Sequence, residues 1–204
     1  MNDLTSLSRE LLAQLEGAPM QQLSRQLNTD TTQTTSAVNA ALPLLFGALG
    51  RNAQQGGADS LMNALQRDHT GSANVSQLLG GLLGGDKSGN RDGAAILGHI
   101  FGQGQQQARV ETGLGQATGI GNHSGDLLKL LAPVVMAFLA QRVQKDHLSA
   151  DALGRTLNQE RQQAQQQGGL AGGLLGSLLD QDGDGQVGLS DLMKIGGSLL
   201  GGRR

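Results

Sequence analysis

Residues 40–50 read AALPLLFGALG, and residues 130–140 read LLAPVVMAFLA. Each is an almost unbroken apolar run with a proline inside it. Neither approaches the roughly 20 apolar residues that a membrane-spanning helix requires. β-branched and aromatic residues are scarce along the chain, and no stretch alternates with period two as a half-buried strand would. The two runs are therefore expected to be buried core helices. A proline within such a helix removes a backbone donor and clashes with the preceding turn. The helix then either kinks at Pro43 and Pro133 or starts anew there, with proline in its first turn.

The two runs match each other beyond composition. Setting Pro43 against Pro133 pairs Val38 with Leu128, Ala41 with Leu131, Leu44 with Val134 and Leu49 with Leu139. Further on, ADSLMNAL (58–65) matches ADALGRTL (150–157), and LLGGLLGGDKSGN (78–90) matches LLGSLLDQDGDGQ (174–186). Three matches in one order point to an internal duplication. The expected architecture is all-α: a compact helical bundle built from two pseudo-repeated halves. The boundaries read as an N-terminal amphipathic helix over 1–26, a first pseudo-repeat over 27–104 and a second over 105–204.

Composition narrows the class further. The chain has 204 residues, 37% of them hydrophobic, with no Trp, Tyr or Cys and only Phe46, Phe101 and Phe138 as aromatics. Its core must be built from Leu, Val, Ile, Met and Ala, with Gly allowing close helix approach. Formal net charge is −2, acidic and basic residues are interspersed, and no basic stripe stands out. That argues against nucleic acid as a partner. The lack of cysteine removes disulfides, thiol nucleophiles and cysteine-rich metal sites. At the N-terminus, Leu4, Leu7, Leu11, Leu12 and Leu15 have helical spacing rather than the continuous apolar core of a signal peptide, so a cytoplasmic location is expected. The Gln-rich pieces GQGQQQ (102–107) and QERQQAQQQGG (159–169) read as solvated helix ends or linkers.

Three stretches carry a family resemblance: AVNAALPLLFGALGRN (37–52), DGAAILGHIFG (92–102) and LLDQDGDGQVGLSDLMKIGGSLLGGRR (178–204). They resemble the bacterial domain-of-unknown-function family 937, the YidB-like proteins. The resemblance implies a helical bacterial protein, often with one terminal calcium-loop motif, and supplies no enzymatic activity, since none is established for the family.

The third stretch holds the chemistry. An EF-hand loop needs oxygen ligands at positions 1, 3 and 5, glycine at 6, a backbone carbonyl at 7 and a carboxylate at 12. In residues 180–191, Asp180, Asp182 and Asp184 fill the first three positions and Gly185 the sixth. Gln186 offers the carbonyl, Val187 is the apolar residue at 8, and Asp191 stands at 12. Alternate aspartates in a tight loop converge on one hard cation, whose charge relieves their mutual repulsion. The alternative is an acidic turn, since Asp and Gly favour turns in any case. Asp191 is shorter than the usual Glu, so the site should be weak, with a dissociation constant on the order of 10⁻⁵ to 10⁻³ M. Calcium is the expected ion, with magnesium its competitor. The duplicated stretch GGDKSGNRDGAA (84–95) keeps Asp86, Ser88 and Gly89 but has Gly84 and Ala95 at positions 1 and 12. It is expected to bind no metal, and to be a packing partner for the metal loop at most.

Other motifs are quieter. His69 and His147 each follow an aspartate, but adjacent helical residues do not face each other. They and His99 and His123 read as helix-end or surface residues. GLGQATGIG (113–121) follows no strand, so it fails as a dinucleotide loop and reads as a turn. Small residues four apart, as in Gly80/Gly84, Gly98/Gly102 and Gly197/Gly201, suit close helix packing. The expected function is non-enzymatic binding of one divalent cation. The second reading is a structural protein that self-associates through Gly/Ala-rich helix faces into a homo-oligomer, with the metal loop incidental.

Overall fold

The computed structural model describes residues 6–68, 87–101 and 104–166. These residues are all-helical, with no strand among them. In chain order they form α1 (Leu7–Leu15), α2 (Ala18–Leu27), α3 (Thr31–Asn52), α4 (Ala58–Asp68), α5 (Lys87–Phe101), α6 (Gln105–Thr118), α7 (Ser124–Asp146) and α8 (Ala150–Gln166).

Helices α3 and α7 are the two apolar runs, and they are the centre of the core. All of residues 40–50 except half-buried Pro43 are buried, as is every residue from Leu130 to Ala140. A helix apolar on all sides must be surrounded by protein or lipid. Here the other helices surround it, and no described helix is long and apolar enough to cross a membrane. Phe46 of α3 meets Phe138 of α7 edge-on, with ring centroids 6.2 Å apart. That is a favoured arrangement of aromatic quadrupoles. Both prolines lie inside continuous helices. Of the two outcomes left open by the sequence, neither proline starts a new helix.

The N-terminal stretch expected to be one helix over 1–26 forms two among the described residues, α1 and α2. Gly17, at φ 83°, breaks the chain between α1 and α2, and Pro19 sits in the first turn of α2, where its missing N–H is harmless. Leu7, Leu11 and Leu15 are buried and Leu12 packs half-buried against the same core. Asn28 ends α2 in the left-handed conformation at φ 52°. Asp30 then caps α3 by accepting the Gln33 N–H at 2.8 Å.

Where α3 hands over to α4, residues Ala53–Gly57 form a kink in which Gln55 and Gly56 leave the helical conformation, Gly56 at φ 91°. Asn52 ties this junction to the end of α5 by donating its side-chain amide to the His99 carbonyl at 3.2 Å. Two further stretches differ from the loops expected of them. Residues 87–95 belong to α5, because the apolar stripe of Ile96, Leu97, Ile100 and Phe101 anchors a helix that runs back to Lys87. Residues 113–118 belong to α6, and the turn begins only at Gly119, φ 77°. Gly115 lets that turn fold back, since a Cβ there would collide with the Gly121 carbonyl.

Among the described residues the order of elements recurs: two helices, a long helix with an interior proline, then an amphipathic helix. Helices α1 to α4 follow this order, and α5 to α8 follow it again.

Candidate functional site

The expected metal ligands Asp180, Asp182, Asp184, Gln186 and Asp191 lie outside the described residues. So do Asp86 and Gly84 of the related stretch, whereas Ser88 and Gly89 stand in the first turn of α5. Among the described residues no group of three or more His, Asp or Glu gathers as a metal site. His99, His123 and His147 are exposed at helix ends, as expected. His147 ends α7 in the left-handed conformation, φ 50°. His69 lies outside the described residues.

Two polar clusters are built around α8, where the sequence suggested only a solvated Gln-rich end. The first centres on Glu160, which is buried with 5% of its surface exposed. Its Oε1 accepts the Ser6 hydroxyl at 2.5 Å, the Ser8 N–H at 3.0 Å and the Ser8 hydroxyl at 2.5 Å. Its Oε2 accepts the Leu7 N–H at 2.9 Å. The first turn of a helix has N–H groups without intrahelical partners and carries partial positive charge. Ser6, the residue before α1, makes no cap of its own. Glu160 caps α1 from the far end of the sequence.

Beside this carboxylate lies a cavity of about 150 Å³, bounded by Ser8, Arg9, Asn39, Pro43 and Gln163 among others. Pro43 has no N–H for the Asn39 carbonyl, so the polar lining combines side chains with a backbone acceptor lacking its helical partner. With both Glu160 oxygens engaged by Ser6 and the first turn of α1, the carboxylate acts as a structural anchor.

The second cluster sits where α3 crosses α8. A Cβ on Gly50 would stand 2.7 Å from the Leu157 carbonyl oxygen, so backbone rests on backbone. Flanking the crossing are Arg51 of α3 and Asn158 and Arg161 of α8, all half-buried. Burial, and then the neighbouring Arg161 charge, lower the Arg51 pKa from its ordinary value. The buried Arg161 Nε and Asn158 Oδ1 make no hydrogen bond.

Both clusters were missed for a common reason: their members lie far apart in sequence. One local signal existed. Leu153, Leu157, Glu160 and Ala164 recur at helical spacing, placing Glu160 on the apolar stripe of α8 rather than its wet face.

No curated protein and no solved structure matches the chain. A family model does match, over residues 9–142, which contain α2 to α6 entire and most of α1 and α7. The chain belongs to the family described as Bacterial protein of unknown function (DUF937).

Proposed function

We propose that this chain is a non-enzymatic helical protein that binds one divalent cation, calcium with magnesium as its competitor, through residues 180–191. The observation that carries the reading is the spacing of Asp180, Asp182, Asp184, Gly185 and Asp191, which fills each position an EF-hand loop requires. Alternate aspartates supply three monodentate oxygens, Gln186 a carbonyl and Asp191 a fourth carboxylate. Their repulsion without metal favours an open loop, and the cation draws them together. Aspartate at the last position reduces the oxygen count relative to glutamate, which weakens calcium and brings magnesium into competition.

We also infer an internal duplication relating 27–104 to 105–204, supported by the residue matches around Pro43 and Pro133. The assembly reading has less behind it. Gly50 and Gly93, which permit close approach among the described residues, face this chain's own backbone.

Calorimetric titration of the metal-stripped chain with calcium, repeated in millimolar magnesium, tests the proposal. Saturable binding of about one ion per chain, lost in Asp180→Ala, is expected. Failure of the intact chain to bind would reduce residues 180–191 to an acidic turn.

A further inference from the structure

The cavity beside Glu160 is where three helices and two opposite charges meet. Helix α1 contributes Arg9 and Leu12, α3 contributes Leu42 and Pro43, and α8 contributes Glu160 and Ala164. Leu42 and Glu160 are buried whereas Arg9 is exposed, so the carboxylate stands toward the closed end and the guanidinium toward the mouth. The volume of about 150 Å³ is about the space that takes one benzene molecule.

Neither charge has an opposite charge against it among the described residues. The ion pairs there join Lys129 to Asp126 and Arg142 to Glu10 and Asp146, and none includes Arg9 or Glu160. Every hydrogen-bond partner of Glu160 is neutral, a serine hydroxyl or a backbone N–H. Only one of these bonds falls on Oε2. A carboxylate oxygen accepts about two, so Oε2 keeps an acceptor position. A buried charge is best held by a charge of opposite sign. Pro43 also leaves the Asn39 carbonyl without its helical donor, and both residues line the cavity.

A matching ligand brings an ammonium to the closed end, a carboxylate to the mouth and an apolar body to Leu12, Leu42, Pro43 and Ala164. Water fills the space but answers neither charge, and a metal ion has nothing to offer Arg9. A simple amine leaves Arg9 unmet, and a simple carboxylate leaves Glu160 unmet. An α-amino acid carries both groups on one carbon, with its side chain free to turn to the apolar wall. We propose that this cavity binds a small apolar α-amino acid, of about the size of valine. Its ammonium donates to Glu160 and the Asn39 carbonyl, and its carboxylate accepts from the Arg9 guanidinium fork. This site is independent of residues 180–191.

The test is calorimetric titration of the full-length, metal-free chain with L-valine and, separately, with isobutylamine and isovalerate, which lack its carboxylate and its ammonium. Saturable valine binding is expected, about tenfold or more tighter than either fragment, because each fragment leaves one charge without its partner. Arg9→Gln, at an exposed position, should weaken valine about tenfold and leave isobutylamine unchanged. Ala164→Phe fills the cavity and should abolish valine binding. Far-UV circular dichroism and thermal unfolding check that both variants are folded. No saturable valine binding by the unaltered chain overturns the proposal without recourse to any variant, and leaves the cavity to water. So does either fragment binding as tightly as valine, which would make one charge irrelevant. Valine binding indifferent to both substitutions overturns it too, by placing the amino acid elsewhere.

Discussion

The Lys129 carbonyl oxygen of α7 occupies the place where a Cβ on Gly93 of α5 would stand. Two sequence features produce this contact together. Pro133, four residues after Lys129, has no N–H to offer, so that carbonyl is released from the helical ladder. Gly93 has no Cβ, so the neighbouring helix can close over it, with its Cα–H groups toward the oxygen. An interior proline on one helix is thus matched by a glycine on the next, and the mismatch in the ladder becomes a point of close packing.

Gly93→Ala should therefore destabilise the chain by about 2–3 kcal/mol, through overpacking against backbone that has nowhere to move. Pro133→Ala returns a donor to the Lys129 carbonyl and draws the oxygen back toward its own helix. The Gly93→Ala penalty should then be smaller in a Pro133→Ala background, with a coupling of about 1 kcal/mol or more in a urea-unfolding double-mutant cycle. Additivity of the two changes would show that the proline and the glycine act separately.

Two other glycines should respond to alanine in opposite directions. A Cβ on Gly50 meets the Leu157 carbonyl at 2.7 Å, whereas on Gly154 its nearest neighbours are the Ala53 and Ala58 methyls at 3.8 and 3.9 Å. Gly50→Ala should cost about 1–3 kcal/mol as α3 and α8 are forced apart. Gly154→Ala fits in ordinary contact and should stabilise by about 0.5–1 kcal/mol, from helix propensity and reduced unfolded-state freedom. Thermal unfolding of the two variants separates them by sign.

Removal of the trans-acting cap should be felt mainly at the N-terminus. Glu160→Ala leaves the Leu7 and Ser8 N–H groups and two serine hydroxyls without their acceptor. A loss of about 2–4 kcal/mol is expected, combining a lost helix cap with buried donors left unpaired. Amide hydrogen exchange should show α1 opening more readily than α3 or α7. A loss below about 0.5 kcal/mol would mean that the carboxylate is replaceable by water.

The central helices were legible because burial on all sides writes itself into an unbroken apolar run, as in 130–140. The leucine stripe of α1 was legible for the same kind of reason, through spacing alone, although the break at Gly17 was not. What escaped was relational. Glu160 sits in a Gln-rich stretch that suggests solvent, and its partner Leu7 lies 153 positions away. Gly50 is ordinary until the Leu157 carbonyl is beside it. In 84–95, polar residues suggested a loop, but the apolar stripe beginning at Ile96 carries a helix back to Lys87. The aspartate loop is the reverse case, since its ligand spacing is local and complete in twelve residues, 180–191.

The most direct test of the account is a pair of amide NMR spectra of the isotope-labelled full-length chain, one with chelator and one with calcium. Calcium should shift the amides of residues 180–191, Gly185 and Gly188 among them, and saturate at about one equivalent. The amides of α3 and α7 should stay in place, and Asp180→Ala should abolish the response. Unmoved amides in 180–191, or shifts spread through α3 and α7 instead, would contradict the assignment of metal binding to that loop.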